Sequence, residues 1–401
     1  MRKILIAGGI GVACVAAAVT ATAVTATAAN GSPSSVPRCT ESVPYTAGAD
    51  GYASYRIPAV ITAADGSVLA FAEGRRAGTA DSGNIDVVLK RSADGGCTWA
   101  PLQVVARGDG DTRGNPAPVL DPATRQIVLV TSYNAGSVTE TQILQGKVTP
   151  EQSRRVFVQT SSDNGATFSA LREITSDTKR ADWRWYATGP GHATALTTGP
   201  HAGRLVVPAN HSIAPPPGST DLGSEVKYYG GHDIYSDDHG ATWHIGFSDD
   251  NPDGYLNVNE TSATQLDDGR LYFNARDHNG TAPGTRTDAY SSDGGATLDA
   301  PYAPQDTIAG PVVEGSVLQV RHGPLLYSGP ADPAARAALT IRVSHDQGRT
   351  WTDPFAVSGW PAAYSDLVPL DGNTVGLLYE TGRATSSDTI TFRRIGLPDL
   401  R

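Results

Sequence analysis

Arginine and glutamate side chains lie inside or at the ends of apolar runs, where they could contribute to a binding site. Arg56 lies within the run 52–60, Arg276 ends the run 271–276, and Glu260 precedes Arg276 by 16 residues. Each position alone says little, because an arginine in an apolar strand is more often an edge residue whose charged end reaches water. The formal net charge is −10, which argues against nucleic acid or anionic membranes as partners. An anionic ligand could bind only where arginines are gathered against that field.

An aromatic-rich stretch, Trp183-Arg184-Trp185-Tyr186, precedes the predicted strand 204–209. Its rings could form the floor of a ligand pocket, or they could pack in the core of a β-sheet. The sequence leaves both interpretations open. Segment 139–155 is predicted to be an insertion of helical or loop character, and its role is not indicated by its residues.

A repeated motif predicts the elements that position these residues. Its pattern is Ser-x-Asp-x-Gly-x-Thr followed by an aromatic residue or leucine, and each copy adjoins an alternating apolar run. Ser and Asp side chains bond nearby backbone amides and Gly supplies a positive φ, so each copy is predicted to be a hairpin turn with the last residue packed beneath it. The five copies begin at Ser92, Ser161, Ser236, Ser291 and Ser344.

The spacing of the copies indicates a repeat architecture. Their aspartates are 53 to 75 residues apart, a period typical of a propeller or a solenoid. Acidic loops can also bind calcium, but these copies lack the ligand number and the terminal glutamate of an EF-hand. The prediction therefore includes neither a metal nor another cofactor.

These motifs are Asp-boxes, and the chain resembles the bacterial and animal exo-sialidases (neuraminidases). The resemblance covers nearly everything after about Ser42. It implies an all-β fold, a six-bladed β-propeller, in which the boxes lie on the rim far from the active site and take no part in catalysis.

Length and composition agree with one propeller domain at 42–401. The chain has 401 residues with 44 Gly and 27 Pro, which suits many short strands and turns. Ser42 to Tyr45 is predicted to be a strand that completes the last blade and closes the ring. This closure would explain how five boxes accompany six blades.

Residues 1–29 have the layout of a secretory signal peptide, with Arg2 and Lys3, an apolar run and small residues before the cleavage site. A membrane anchor is the alternative, but the second half of the segment alternates Ala and Thr. We expect a secreted protein with a mature N-terminal segment at 30–41 and no membrane insertion. Cys39 and Cys97 then remain, either as a disulfide or as two free thiols.

The resemblance implies three arginines that bind the substrate carboxylate. Arg56 belongs to Tyr55-Arg56-Ile57-Pro58, which matches the signature [FY]-R-I-P of the family. Arg276 matches the second arginine. The third is assigned to Arg336, with Arg342 as its competitor, and Glu380 is expected to brace Arg56.

The resemblance also implies the groups that react. Tyr364, in Tyr364-Ser365-Asp366-Leu367, corresponds to the nucleophile and Glu260 to its base. The general acid is assigned to Asp81, on a loop after Arg75, because Asp86 opens a strand and has a structural position in the alternation. Arg75 is taken as a further substrate-binding residue, with Arg76 as the fallback.

These residue types suit a sialic acid, whose anomeric carbon carries a carboxylate. Three guanidinium groups can surround that carboxylate. A phenol is a more suitable nucleophile than a second anion, as sialidases with a tyrosine nucleophile illustrate. The chain is expected to be a monomeric, retaining exo-α-sialidase acting on sialylated glycans. A trans-sialidase and a non-catalytic sialic-acid-binding lectin remain alternatives, and the linkage preference is not indicated.

Overall fold

The computed structural model describes residues 39–352 and 354–400, so the predicted signal peptide at 1–29 lies outside the described residues. The described chain folds as the predicted six-bladed β-propeller. Each blade is an antiparallel sheet of four strand positions, and the first strands of neighbouring blades contact one another around the centre.

The strands follow the chain around the ring. The N-terminal strand is β1 (Glu41–Thr46). The first blade contains β2 (Ser54–Thr62), β3 (Val68–Arg75), β4 (Ile85–Ser92) and β5 (Gln103–Ala106). The second contains β6 (Thr112–Leu120), β7 (Ile127–Asn134), β8 (Arg155–Ser161) and β9 (Arg172–Glu173). In the third, β10 (Trp183–Thr188) and β11 (Thr194–Ala195) share the first position beside β12 (Leu205–Ile213), β13 (Tyr229–Ser236) and β14 (His244–Asp250).

The remaining blades share one long strand. The fourth blade contains β15 (Val258–Gln265), β16 (Leu271–Asp277), β17 (Arg286–Ser291) and β18 (Ala303–Pro304). The fifth contains β19 (Ser316–Gln319), β20 (Leu325–Pro330), β21 (Ala337–Ser344) and the first part of β22 (Phe355–Asp371). The sixth contains the rest of β22, β23 (Thr374–Thr381), β24 (Thr389–Gly396) and β1.

The helical segments of the described chain are short. They are α1 (Glu140–Leu144), α2 (Thr175–Thr178) and 3₁₀ turns at Val226–Tyr228 and Leu397–Leu400. None of the helices in this part of the chain has the length and hydrophobicity needed to cross a membrane. Apolar side chains fill the space between neighbouring blades, as Val130, Val158 and Leu205 do between the second and the third.

The ring closes through β1, which pairs with β24 in antiparallel register, with Tyr45 opposite Ile390. In the other blades an Asp-box follows the third strand. In the sixth blade the third strand is β24 and the fourth is β1. These two strands come from opposite parts of the chain, so no hairpin turn joins them and this blade has no box. A disulfide between Cys39 and Cys97 joins the segment before β1 to the first box.

The five boxes share one hydrogen-bond pattern. The serine Oγ donates to the aspartate Oδ1 at 2.7–2.9 Å. The glycine N–H donates to that Oγ at 2.8–2.9 Å. Aromatic residues of the boxes then pack edge-on against the preceding blade, as Trp99 does on Phe392 and Phe168 on Phe71. The boxes therefore link neighbouring blades.

A β-bulge recurs in the innermost strands. Three residue steps on the inner strand span two steps on its partner, so one extra residue is accommodated. Each bulge lies near the beginning of its strand, or in β22 near the beginning of the part that pairs with β23. The inner strands run in the same direction, so the bulges gather at one end of the channel. They lie at 56–59 in β2, 114–117 in β6, 183–186 in β10, 258–261 in β15 and 362–365 in β22.

Asp366 holds four blades together at the centre. Its fully buried carboxylate accepts hydrogen bonds from the Val60 N–H at 2.8 Å, the His192 N–H at 2.9 Å and the Ser316 Oγ at 2.9 Å. The His192 ring also contacts it through Nδ1 at 2.7 Å. These partners belong to the first, third and fifth blades, whereas Asp366 belongs to the sixth.

We predict that Asp366→Ala lowers the free energy of unfolding by about 3–5 kcal/mol, because it leaves several buried donors without an acceptor. Urea unfolding followed by tryptophan fluorescence measures the change. Asp182→Ala, at an exposed position, is the matched control and should unfold like wild type. Unfolding of Asp366→Ala that matches the control would show that this carboxylate does not hold the ring.

Candidate functional site

A cavity of about 200 Å³ opens at the end of the channel where the bulges gather. Its walls include one or two residues from each bulge: Arg56, Ile57, Asn115, Trp185, Asn259, Glu260 and Tyr364. Arg75, Asp81, Arg276 and Arg336 also line it. The structure therefore brings together seven of the eight residues singled out in the sequence, and the eighth, Glu380, lies directly behind Arg56.

Glu380 binds the first arginine and the backbone around it. Its Oε1 accepts from Arg56 Nε at 2.8 Å and from the Ile57 N–H at 2.8 Å, and its side chain is fully buried. Ile57 has φ 59°, a conformation that a β-branched residue rarely adopts and that costs about 1–3 kcal/mol. In this conformation Ile57, the extra residue of the bulge, directs its backbone N–H toward Glu380.

The same carboxylate reaches the strand that carries Tyr364. The Tyr364 N–H lies 3.5 Å from Glu380 Oε2. Burial alone would lower the pKa of Arg56, but the charge and hydrogen bond of Glu380, together with the nearby Tyr364 and Asp81, outweigh this effect and raise that pKa. The Arg56 guanidinium carbon lies 5.0 Å from the centre of the Tyr364 ring.

Tyr364 and Glu260 form a hydrogen-bonded pair. The Tyr364 hydroxyl donates to Glu260 Oε1, and Glu260 Oε2 accepts from Arg276 Nη1 at 2.9 Å. Burial and the neighbouring Glu260 charge raise the pKa of Tyr364 well above its ordinary value. The phenol therefore keeps its proton, and the carboxylate that could accept this proton is already hydrogen-bonded to it.

Arg75 is held by Glu73, which accepts from its Nη2 at 2.7 Å, and Arg75 Nη1 donates to Asp81 Oδ1 at 2.7 Å. The Asp81 side chain is 78% exposed, on the loop over the cavity. Asp86 has different surroundings: it is buried and accepts from Arg76, Tyr52 and the Gly108 N–H. Arg76 and Asp86 thus form a pair away from the cavity.

Arg336 lies at the mouth of the cavity, with its guanidinium carbon 5.9 Å from the centre of the Tyr364 ring. Its Nη2 donates to the Val312 carbonyl at 3.2 Å. Arg342, its competitor in the sequence, donates instead to the carbonyls of Thr352 and Ala309. The position of Arg336 in the loop before β21 allows it to face the cavity.

The aromatic-rich stretch divides between the two interpretations. Trp183 and Tyr186 are buried, and Trp183 stacks on His211 at 3.9 Å between ring centres. Trp185 lines the cavity, and the Arg154 guanidinium lies over its ring at 4.4 Å. The extra residue of the bulge turns Trp185 away from the core that its neighbours occupy.

Several cavity residues were not predicted. The clearest are Glu73, Asn115 and Arg154, together with Glu140 and His278. Asn115 precedes Pro116 as Ile57 precedes Pro58, has φ 50°, and donates its N–H to Glu73 Oε1 at 2.9 Å. The shared X-Pro-Ala pattern in 57–59 and 115–117 was a signal that could have found Asn115. Arg154, at the end of the segment 139–155, had no comparable signal.

Two of the five arginines at this site have no ion-pair partner within the part of the chain that the structure describes. Arg56, Arg75 and Arg276 each have a carboxylate partner. Arg154 and Arg336 have none among the described residues, and burial lowers the pKa of Arg154 to about 10. This arrangement favours an anionic ligand. No group of three or more His, Cys, Asp or Glu side chains in the described chain is arranged to hold a metal ion.

Comparison with known families gives one match over most of the chain. Residues 66–377 match the family model described as a BNR repeat-like domain.

Relatives of known name agree with this match. The chain is 32% identical to a sialidase of Micromonospora viridifaciens over 369 residues, covering 87% of this chain and 53% of the relative. It is 29% identical to an exo-alpha-sialidase of Aspergillus fumigatus over 360 residues, covering 82% of this chain and 79% of the relative. The chain thus spans about half the length of the Micromonospora protein.

Solved structures share the fold. A Hadza microbial sialidase superimposes with a TM-score of 0.74 at 25% identity, covering 88% of this chain and 67% of that chain. A leech intramolecular trans-sialidase superimposes with a TM-score of 0.74 at 19% identity, covering 91% of this chain and 71% of that chain.

We predict that Glu380→Gln lowers the free energy of unfolding by about 3–5 kcal/mol, because the buried Arg56 loses its charge partner. Urea unfolding at neutral pH measures the change. Glu151→Gln, at an exposed position, should leave the unfolding midpoint unchanged. If Glu380→Gln unfolds at the wild-type midpoint, Arg56 does not depend on this carboxylate.

Proposed function

This chain belongs to the sialidase family that carries BNR repeats, and we propose that it is a secreted exo-α-sialidase that hydrolyses terminal α-linked sialic acids. One observation carries the proposal. Three arginines from separate blades, Arg56, Arg276 and Arg336, line the same cavity as the hydrogen-bonded pair Tyr364 and Glu260.

The arginines would bind the substrate carboxylate. Each charge-assisted hydrogen bond contributes about 1.5–3 kcal/mol. Arg56 gives its Nε to Glu380 and Arg276 gives its Nη1 to Glu260. The described residues supply no acceptor for Arg276 Nε, which is buried, nor for Nη1 and Nη2 of Arg56. A bound carboxylate would supply one.

The substrate carboxylate also explains a phenolic nucleophile. Two anions 4 Å apart repel by about 4 kcal/mol at an effective dielectric constant of 20. The Tyr364 phenol is neutral until the moment of attack, so it approaches the anomeric carbon without this cost. Burial, which raises the pKa of Tyr364, keeps the phenol neutral in the resting site.

The reaction would proceed in two displacements. Tyr364 Oη forms a bond to the anomeric carbon while Glu260 takes the phenolic proton and Asp81 protonates the departing glycosidic oxygen. In the second step Asp81 takes a proton from water, the water oxygen bonds to the anomeric carbon, and Tyr364 leaves and recovers its proton from Glu260. Two inversions at one carbon retain the anomeric configuration.

Secretion and partners are part of the proposal. Residues 1–29 have the composition of a signal peptide, and the Cys39–Cys97 disulfide suits an oxidising compartment. Sialylated glycoproteins, glycolipids and oligosaccharides would be the substrates of a monomeric enzyme. Transfer of the sialosyl group to another sugar, or binding without turnover, are the alternatives.

The first test uses purified protein and a fluorogenic α-sialoside. We expect steady release of the fluorophore, inhibition by the unsaturated sialic-acid analogue, and α-sialic acid as the first product in NMR spectra. Binding of the analogue without turnover would identify a lectin. A sialylated acceptor or an anhydro-sugar as the main product would identify a transferase.

We further predict that Asp81→Ala lowers kcat for natural sialosides by about 10²–10⁴-fold, since general acid catalysis contributes about that much. The loss should be smaller for aryl sialosides, whose leaving groups need less protonation. Tyr364→Phe should reduce turnover of both substrates severely. Circular dichroism and urea unfolding confirm that each variant is folded.

Asp86→Asn is the control for the loop assignment, because Asp86 lies in the buried cluster with Arg76 and Tyr52. It should affect stability more than kcat per folded molecule. A kcat loss in Asp86→Asn with normal kcat in Asp81→Ala would contradict the assignment of the acid.

A further inference from the structure

Trp360 is a large apolar side chain that is 56% exposed. It lies on β22, four residues before Tyr364 in the same strand. At the rise of an extended strand, four residues span at most about 13 Å. An exposed tryptophan this close to a cavity lined by charged residues is not accounted for by the fold or by the proposed reaction.

A β-bulge exposes Trp360. On β21, Ala337 pairs with Pro361 and Leu339 pairs with Ser358, so two steps on β21 face three steps on β22. Ala338, on the strand opposite the extra residue, has φ 59°, in the left-handed region. Bulges redirect side chains next to functional sites, and here Gly359 and Trp360 are both exposed.

A backbone hydrogen bond links this bulge to the residue at the mouth of the cavity. The Ala362 N–H donates to the Arg336 carbonyl at 2.9 Å, and the Arg336 side chain lines the cavity mouth. The loop that leads to Arg336 is exposed at Pro333, Ala334 and Ala335. We call these three residues and Trp360 the apolar rim.

We propose that the apolar rim, with Trp360 as its aromatic residue, forms a binding subsite for the neutral sugar that carries the sialic acid. The inference rests on the proposed function, because an exo-enzyme holds the terminal sugar in its cavity and leaves the next sugar outside. A neutral hexose has no charge for the arginines to bind, but its C–H faces can pack on an exposed indole ring. Pro361, which follows Trp360, pairs with Ala337, which follows Arg336.

The test compares ligands that share the sialic acid and differ in the next group. Sialyllactose carries a sugar there, methyl α-sialoside carries only a methyl group, and the unsaturated analogue carries nothing. We expect Trp360→Ala to lower kcat/KM for sialyllactose by about 3- to 10-fold, the range of an aromatic contact, mainly through KM. The kcat/KM for methyl α-sialoside and the inhibition constant of the analogue should stay within about 2-fold of wild type, because neither ligand carries a sugar that could pack on Trp360.

Two further variants make the result specific. Trp360→Phe keeps an aromatic face and should recover most of the lost kcat/KM. Val43→Ala removes another exposed apolar side chain, 48% exposed on the outermost strand β1, and should behave like wild type with all three ligands.

Other outcomes overturn the inference. Equal kinetics of Trp360→Ala and wild type on sialyllactose would show that the sugar does not contact Trp360. An equal loss for all three ligands would show that Trp360 supports the cavity instead of a neighbouring subsite. If wild type turns over no sialoside, the proposed activity fails, and the ratio of the Kd values for sialyllactose and methyl α-sialoside in both proteins then tests the subsite alone.

Discussion

The site depends on placing several arginines, whose like charges repel, around one cavity. Glu380 and Glu260 make this possible for Arg56 and Arg276, at 2.8 and 2.9 Å. An arginine in such a place that loses its partner is a buried, unpaired charge, which is strongly destabilising. Each glutamate has a second task. Glu380 also binds the backbone of Ile57 and Tyr364, and Glu260 also accepts the Tyr364 hydroxyl. The groups that hold the charges are therefore also the groups that hold Tyr364.

The repeat places these residues through the same local device in five inner strands. An extra residue near the start of the strand turns one side chain or amide out of the sheet pattern and toward the channel. At Ile57 and Asn115 the freed amide donates to a glutamate of the preceding blade, Glu380 and Glu73 respectively. Asp-boxes link the blades at hairpin turns, and Asp366 links them at the centre. Rigid scaffolding of this kind suits a site that must hold like charges together.

The propeller could be predicted because its signals are local: box turns, short alternating strands and an N-terminal strand that completes the last blade. Arg56, Tyr364 and Glu380 could be placed because they belong to short motifs of a known family. The position of Arg154 could not be predicted, since its place at the cavity depends on how the segment 139–155 returns to β8. Trp185 could not be separated from Trp183, because alternation does not reveal where an extra residue reverses the direction of a side chain. The Cys39–Cys97 pairing required the closure of the ring, which brings residues 58 apart together.

The most direct test of the account is the identity of the atom that bonds to the sugar. A fluorinated sialosyl fluoride slows breakdown of a glycosyl-enzyme, so intact-protein mass spectrometry followed by peptide mapping can locate the attachment. We predict one label per molecule, on Tyr364, and no label in Tyr364→Phe. A label on Asp81 or Glu260, or continued turnover of sialosides by a protein that never becomes labelled, would contradict the account.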